Sequence, residues 1–196
     1  MAALEIDVDR EWVPAMPTRP EQVRMVLISE CAAADDADNY GGSDHASFDV
    51  TTLAAFAAAG LPCSSVRELR DRGIHLTVAI RHPKTASTIR ASTVKRFAPV
   101  LATELAMLPN VRVYVLMGEV AIAAVNDIAR ERTGRRVIPS GATYRIRGGS
   151  YMLEGTRVLP SYLQAGPAWY IEAGKRQMIA EDLACALGIA GISADR

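Results

Sequence analysis

The chain alternates compact apolar runs with helical segments along its length, and this alternation limits the folds that it can adopt. The apolar runs have no amphipathic period and are rich in β-branched and aliphatic residues, as in strands covered on both faces of a parallel sheet. They lie at 24–29, 74–80, 111–117 and, more weakly, 156–159. Helices are predicted between and after them, at 51–59, 65–72, 89–108, 119–132 and 171–187. We therefore predict an α/β fold, a three-layer α/β/α sandwich with a mainly parallel four-stranded central sheet.

Length and composition are typical of one globular domain with a short appendage. The 196 residues are 49% hydrophobic and 22% charged, which excludes disordered, collagenous and coiled-coil chains. Residues 1–20 carry Pro14, Pro17 and Pro20 among charged residues and are predicted to form an irregular arm. Residues 21–196 are predicted to form a single domain.

Charge and cysteine content restrict the kinds of site that we expect. Lys+Arg and Asp+Glu both number 22, so any binding of nucleic acid must rest on a local basic face rather than on net charge. The three cysteines, Cys31, Cys63 and Cys185, lie far apart and form no C-x-x-C pair. We therefore expect reduced thiols, no metal site and no cofactor.

The expected location is the cytoplasm. No apolar run approaches the roughly 20 residues that a membrane span requires. Residues 1–10 alternate acidic with apolar residues, unlike a secretory signal. We therefore expect no contact with a membrane.

The end of the first predicted strand carries the main candidate for chemistry. The chain has no G-x-x-x-x-G-K-[ST], G-x-G-x-x-G or G-x-S-x-G motif, which argues against NTPase, dinucleotide-binding and α/β-hydrolase functions. Instead, Glu30 follows the strand and precedes an acidic loop at 35–38. A carboxylate at a strand tip can position a water or stabilise a cation. The alternative is that Glu30 is a solvated acid that caps the next turn.

Three basic residues end the second predicted strand, at the same sheet edge as Glu30. They are Arg81, His82 and Lys84. Because parallel strands end at a common edge, these side chains are candidates for phosphate contacts near Glu30. The alternative is that Arg81 and His82 form ion pairs with the acidic loop.

Two later segments supply further candidates for contacts with nucleic acid. Arg145 and Arg147 lie in a second basic segment, predicted to be hairpin-like, whose alternative is a solvated loop. The fourth strand runs into a loop framed by proline and glycine, which is typical of rigid recognition loops. Its candidate residues are Pro160, Ser161, Tyr162 and Gln164, of which Tyr162 could equally be a packing residue.

The order of these elements resembles the uracil-DNA glycosylase superfamily over residues 23–188. Residues 26–30 (VLISE) resemble the first family motif, a hydrophobic strand followed in one branch by Gly-Glu-Ala-Pro-Gly. Residues 113–121 resemble the strand-Gly-x-x-Ala element, and residues 158–161 resemble the motif that usually reads His-Pro-Ser. The shared order is more specific than any one of these pieces.

This resemblance implies hydrolysis of an N-glycosidic bond on a base that has been flipped out of DNA. Glu30 would activate water or stabilise the sugar cation, and Tyr40 or Phe48 would stack on the base. The implied base site also contains Ser29, Cys31, Thr77 and Val78. Pro160, Ser161 and the loop after them would press into the minor groove.

Three departures from the family pattern affect the expected substrate and cofactor. Val78, or Thr77 in a shifted register, replaces the asparagine that reads uracil. Leu159 replaces the histidine before Pro-Ser that stabilises the leaving base. The chain also lacks the four cysteines that hold an iron–sulfur cluster in the branch with Gly-Glu-Ala-Pro-Gly. We therefore expect a divergent member without the cluster, weak or inactive on uracil.

Three functions stay open at this point. The leading one is a DNA glycosylase that removes a damaged or deaminated base, with single-stranded or damaged DNA as its partner. The second is a catalytically reduced protein of the same fold that binds nucleic acid or a nucleotide. The third is a hydrolase of small nucleosides or nucleotides, which the zero net charge favours.

Overall fold

A computed structural model describes residues 11–84 and 89–194, and these residues build a five-stranded sheet. The strands are β1 (Met25–Ala32), β2 (Ile74–Pro83), β3 (Val113–Met117), β4 (Tyr151–Leu153) and β5 (Thr156–Ser161). Their order across the sheet is β2-β1-β3-β5-β4. Neighbouring strands among β2, β1, β3 and β5 pair in parallel, and β4 pairs antiparallel with β5.

Helices cover both faces of this sheet. They are α1 (Ser47–Ala58), α2 (Val66–Asp71), α3 (Ala91–Ala106), α4 (Glu119–Thr133), α5 (Thr143–Ile146), α6 (Ala168–Ile171) and α7 (Ala173–Ala190). Apolar residues of α3 and α4 pack on one face, and those of α1, α2 and α7 pack on the other. The predicted three-layer α/β/α class is confirmed.

Strand β1 shows why the apolar runs have no amphipathic period. Val26 and Ile28 belong to the core beneath α3 and α4, whereas Met25 and Leu27 belong to the core beneath α1 and α7. All four side chains are fully buried. Because both faces are covered, every position of the strand is apolar until Ser29 and Glu30 near its end.

Three predicted features differ from the structure. The sheet has five strands rather than four, because the three-residue edge strand β4 was not predicted. Strands β1 and β2 each continue three residues past the predicted end, to Ala32 and Pro83. The segment with Arg145 and Arg147 is not hairpin-like: residues 143–146 form the short helix α5, and Arg147 follows it with helical dihedral angles.

The described part of the predicted arm, residues 11–20, contacts β2 near the end of that strand. The Trp12 amide donates to the Arg81 carbonyl over 2.9 Å. Further along the arm, residues 16–19 line a surface cavity together with Arg67, Arg70 and Asp71 of α2. Residues 1–10 of the predicted arm lie outside the described residues.

None of the helices within residues 11–84 and 89–194 combines the length and the apolar character that a membrane crossing requires.

Candidate active site

Glu30 lies near the carboxyl end of β1, between the start of α4 and the end of β2. Its Oε1 atom accepts a hydrogen bond of 3.2 Å from the backbone amide of Val120, in the first turn of α4. Its Oε2 atom is 3.6 Å from the Nζ atom of Lys84. The Glu30 side chain is 12% exposed. The carboxylate is thus held in place by a helix N-terminus and an ammonium group.

Gly118 allows this close approach. It precedes α4 with φ +103° and ψ 169°, a backbone conformation that is essentially restricted to glycine. A Cβ at this position would lie 2.5 Å from Oε1 of Glu30. The glycine is therefore required both by its backbone conformation and by the carboxylate packed against it.

A small cavity of about 170 Å³ opens beside Glu30. It is lined by Glu30, Cys31, Ala32, Ala33, Ala34, Phe48, Lys84, Leu163 and Ala165. For comparison, an engineered apolar cavity of about 150 Å³ binds benzene. The small cavity is therefore large enough for one aromatic ring.

A larger groove of about 540 Å³ lies on the α4 side of Glu30, between α3, α4 and α5. Glu30 and Lys84 line both the small cavity and the groove, so they stand at the boundary between them. The other charged side chains of the groove are Glu119, Asp127, Arg130 and Arg136. Arg130 pairs with Asp127, and Arg136 bonds to Ser140. The groove therefore carries three basic and three acidic side chains.

Phe48 is the aromatic residue that lines the small cavity. Its half-buried ring meets the Tyr40 ring edge-on, with centroids 5.4 Å apart. Tyr40 is buried behind it, and burial raises the pKa of its phenol. Of the two predicted stacking residues, Phe48 is thus placed to contact a ligand, while Tyr40 supports it.

Ser29 and Gln164 belong to a buried hydrogen-bond network that includes Tyr40. Ser29 Oγ lies 2.7 Å from the Tyr40 hydroxyl, and Gln164 Nε2 donates to that hydroxyl over 2.8 Å. Gln164 Nε2 also donates to Ser29 Oγ and to Thr52 Oγ1, each over 3.2 Å. Because successive side chains of a strand point to opposite faces, Ser29 and Glu30 face different sides of the sheet. This network fixes the loop after β5 rather than presenting polar groups to a ligand.

Cys31 is the remaining predicted base contact on β1. It lines the small cavity but is only 6% exposed. Burial, with a smaller effect of the Glu30 charge, raises its pKa to about 12. Cys31 is therefore a neutral thiol that can contribute a weak hydrogen bond but no thiolate nucleophile.

The predicted base contacts on β2 do not line the small cavity. Val78 is opposite Ser29 in the sheet and is buried in the core beneath α1 and α7. Thr77 is buried on the opposite face, where its hydroxyl helps to lower the pKa of Glu104 on α3. Both lie in mid-strand, because β2 continues to Pro83. The residue of this segment that reaches the cavity is Lys84.

Arg81 and His82 contact residues of α3 and do not line the small cavity. Arg81 donates to Oε2 of Glu104 over 3.0 Å, and the same carboxylate is 2.8 Å from Nε2 of His75. Burial alone would raise the pKa of Glu104, but the hydrogen bonds from its partners outweigh it, so the pKa is lowered. His82 is buried against the ring of Phe97, with centroids 5.1 Å apart. The partner of Arg81 is thus a helix carboxylate rather than the acidic loop.

The predicted contacts on and after β5 divide into buried and accessible residues. Pro160 and Ser161 are buried in the sheet, and Ser161 Oγ donates to Asp182 over 2.6 Å. Burial raises the pKa of Asp182 although Ser161 and Arg147 act against it. Tyr162 is half-buried, with the Lys175 ammonium 5.4 Å from its ring centroid.

The two predicted nucleic-acid contacts Arg145 and Arg147 have different surroundings. Arg147 binds both Asp182 and Glu181 and also donates to the Met178 carbonyl. Arg145 is exposed and stacks on the ring of Tyr144. Of these two arginines, Arg145 can bind an external anion directly, whereas Arg147 would first have to break its ion pairs with carboxylates.

Leu163 and the 32–34 segment were not predicted as cavity residues. Leu163 lines the small cavity, whereas Leu159 is buried in the core in mid-strand. No polar or charged signal marks Leu163 or Ala32 to Ala34 in the sequence, so only the fold identifies them. Gly118 was detectable, because a glycine directly before a helix is a common site of close backbone approach.

The cysteines do not fit an iron–sulfur cluster. Cys31 lies on β1, Cys63 lies between α1 and α2, and Cys185 is exposed on α7. In the part of the chain that the structure describes, no three His, Cys, Asp or Glu side chains come together as potential metal ligands.

Comparison with known proteins gives one curated relative that matches the sequence-based interpretation. A type-5 uracil-DNA glycosylase from Thermus thermophilus is 30% identical over 125 residues, which make up 64% of this chain and 54% of the relative. The resemblance to the uracil-DNA glycosylase superfamily is confirmed. The chain spans about half the length of this superfamily relative. No family model matches the chain.

Proposed function

We propose that this protein is a DNA glycosylase-like hydrolase, which cleaves the N-glycosidic bond of a damaged or deaminated base. The observation that carries the proposal is the position of Glu30 between a ring-sized cavity and a larger groove. The similarity to a protein named as a uracil-DNA glycosylase supports it.

The chemistry needs a fixed carboxylate. A glycosidic bond breaks through a state with cationic sugar character, which a nearby negative charge stabilises. The Val120 amide holds one oxygen of Glu30, so the carboxylate does not need to reorient during the reaction. A base flipped into the small cavity would lie against Phe48, with its sugar next to Glu30.

DNA, single-stranded or damaged, is the partner that we propose. The exposed Lys84 and Arg145 offer positive charge around the groove, and Tyr162 offers a half-buried ring after β5. We also propose that residues 21–196 act as one domain, because α1 and α7 pack on the same face of one sheet.

Uracil should be a poor substrate. Among the described residues that line the small cavity, none has a side-chain amide or an imidazole. A uracil edge buried there would lose its bonds to water at a cost of about 1–3 kcal/mol for each unpaired group. Leu163 offers no charge or hydrogen bond to a departing base anion, and removal of one such donor typically lowers rates by about 10²–10³-fold.

The proposal is tested with oligonucleotides that carry uracil, hypoxanthine, xanthine or alkylated bases. We expect release of at least one damaged base and little release of uracil. The variant Glu30→Gln keeps an oxygen that can accept the Val120 hydrogen bond but removes the charge. It should therefore lower excision by about 10²-fold or more while DNA affinity and melting temperature stay nearly unchanged. Undiminished excision by Glu30→Gln, or rapid uracil release, would contradict the assignment.

A second candidate is a catalytically reduced protein that binds nucleic acid without excision. The engagement of Glu30 by both Val120 and Lys84 favours it, since both contacts also fit a carboxylate that only caps α4. Binding to the same oligonucleotides, with no base released from any of them, would favour this candidate.

A further inference from the structure

Lysine is rare in this chain, and one of its few lysines lies beside Glu30. The basic residues comprise 19 arginines and three lysines: Lys84, Lys95 and Lys175. Lys95 is exposed on α3, and Lys175 is partly exposed on α7, where it pairs with Glu172. Lys84 instead lines both the small cavity and the groove. Arginine serves a phosphate contact at least as well as lysine, so a lysine here favours chemistry that a guanidinium cannot perform.

We propose that Lys84 attacks the abasic sugar left after base release, so that the protein is also an abasic-site lyase. This inference rests on the proposed function, which brings the sugar to Glu30. Lysine amines form Schiff bases with carbonyl substrates, and the ring-opened abasic sugar carries an aldehyde at C1′.

The geometry brings the required groups together. Nζ of Lys84 is 3.6 Å from Oε2 of Glu30, and the lysine side chain is 38% exposed. A C1′ atom in contact with the Glu30 carboxylate would therefore be within reach of the amine. Cys31, the other nucleophilic atom type in the small cavity, does not compete, because its thiol stays protonated with a pKa of about 12.

The first stage forms an imine and releases water. Glu30 accepts the proton that the Lys84 ammonium loses, and the neutral amine adds to the C1′ aldehyde. The resulting carbinolamine loses its hydroxyl group as water, with the proton coming back from Glu30. The product is a protonated imine between Nζ and C1′, and Glu30 is again a carboxylate.

The second stage cleaves the strand. Glu30 removes a proton from C2′, and the electron pair of that C–H bond forms the C1′–C2′ double bond of an enamine. The enamine expels the phosphate from C3′, and Glu30 gives the C2′ proton to the leaving phosphate. The C3′–O bond thus breaks, the downstream strand leaves with a 5′-phosphate, and Glu30 is again a carboxylate. Water then hydrolyses the conjugated imine, which frees Lys84 and leaves an unsaturated aldehyde on the upstream strand.

The test uses the full chain and an oligonucleotide with a pre-formed abasic site, so it does not depend on base excision. Sodium cyanoborohydride reduces an imine to a stable amine, so we expect a covalent protein–DNA adduct, mapped to Lys84 by mass spectrometry. Without the reductant we expect strand cleavage. Lys84→Arg should lose both while its affinity for the abasic oligonucleotide changes little, because the charge is kept. The double variant Lys95→Arg/Lys175→Arg is the matched control and should retain both.

Glu30→Gln separates the two stages. Its adduct should still form, because water can accept the ammonium proton, whereas strand cleavage should slow by about 10²-fold or more without a base for C2′. An adduct that persists in Lys84→Arg, or no adduct with the bound abasic oligonucleotide, would overturn the inference and leave Lys84 as a phosphate contact. An adduct without excision of any base would support the lyase and refute the glycosylase. Failure to bind the abasic oligonucleotide would refute both.

Discussion

Replacement of Gly118 by alanine tests how the start of α4 and Glu30 depend on each other. The backbone at Gly118, with φ +103° and ψ 169°, costs a residue with a Cβ about 1–3 kcal/mol. The added Cβ would also lie 2.5 Å from Oε1 of Glu30, so the carboxylate must move away from the Val120 amide. Loss of a helix-capping hydrogen bond costs about 1 kcal/mol. The expected loss in the free energy of unfolding is therefore about 2–4 kcal/mol.

Gly134, which ends α4, provides the matched control. It also has a positive φ, +79°, but a Cβ there would have no heavy atom within 4 Å. Gly134→Ala should therefore lower the free energy of unfolding by only about 1–2 kcal/mol, the cost of a positive φ for a residue with a Cβ. Urea unfolding followed by circular dichroism measures both variants. In the base-release assay, Gly118→Ala should lose about 10²-fold in rate, since a displacement of about 1 Å has effects of this size, and Gly134→Ala should retain activity.

A double-mutant cycle isolates the clash with the carboxylate. The change Glu30→Ala removes the three Glu30 atoms that lie nearest to a Cβ on Gly118, at 2.5–2.8 Å. In the Glu30→Ala variant, the loss in the free energy of unfolding caused by Gly118→Ala should be about 1 kcal/mol smaller than in the wild-type chain. The same cost in both backgrounds would show that only backbone conformation matters at Gly118, and the coupling between α4 and Glu30 would be refuted.

Three further changes test other parts of the structure. Glu104→Gln should lower the free energy of unfolding by about 3 kcal/mol, because Arg81 loses the negative charge of its buried partner. Since the folded-state pKa of Glu104 is lowered, this difference should be full at pH 7 and shrink below about pH 4 in urea titrations. Phe48→Ala should weaken binding of a base-containing damaged oligonucleotide by about 1–3 kcal/mol in fluorescence anisotropy but leave binding of an abasic one nearly unchanged. Arg147→Gln should lower the melting temperature without changing the salt dependence of DNA binding, because the guanidinium is bound to Asp182 and Glu181.

The sheet was predictable wherever strands are covered on both faces. Runs such as 25–28 are apolar at every position because helices pack on both sides, and no tertiary information is needed to see this. The last residues of β2 were not predictable in the same way. Arg81 and His82 are polar, and they are accommodated in the strand by Glu104 and Phe97 on α3. Strand β4 has three residues, of which Met152 is exposed, and it carries no comparable signal.

The position of Glu30 near the end of its strand was predictable from the sequence. Whether most of the other candidate side chains are free to contact a ligand was not. Charge alone does not reveal whether an arginine is free, because its partners are distant in the sequence. Arg81 pairs with a residue 23 positions away, and Arg147 hydrogen-bonds a residue 35 positions away. Likewise, Ser29 and Glu30 are adjacent in sequence but face opposite sides of the sheet, so only one of them borders the small cavity.

The contact between the arm and β2 also has a consequence for self-association. A strand at a sheet border offers unpaired amides and carbonyls to any other extended chain. Strand β2 is at the border of the sheet, and its Arg81 carbonyl accepts a hydrogen bond from the Trp12 amide of the same molecule. Pro14, Pro17 and Pro20, which follow Trp12, have no amide hydrogen with which to recruit another strand. A version of the protein that starts at Val23 would lose this contact and should therefore be more prone to dimerise or aggregate edge to edge, even with Glu30 in place.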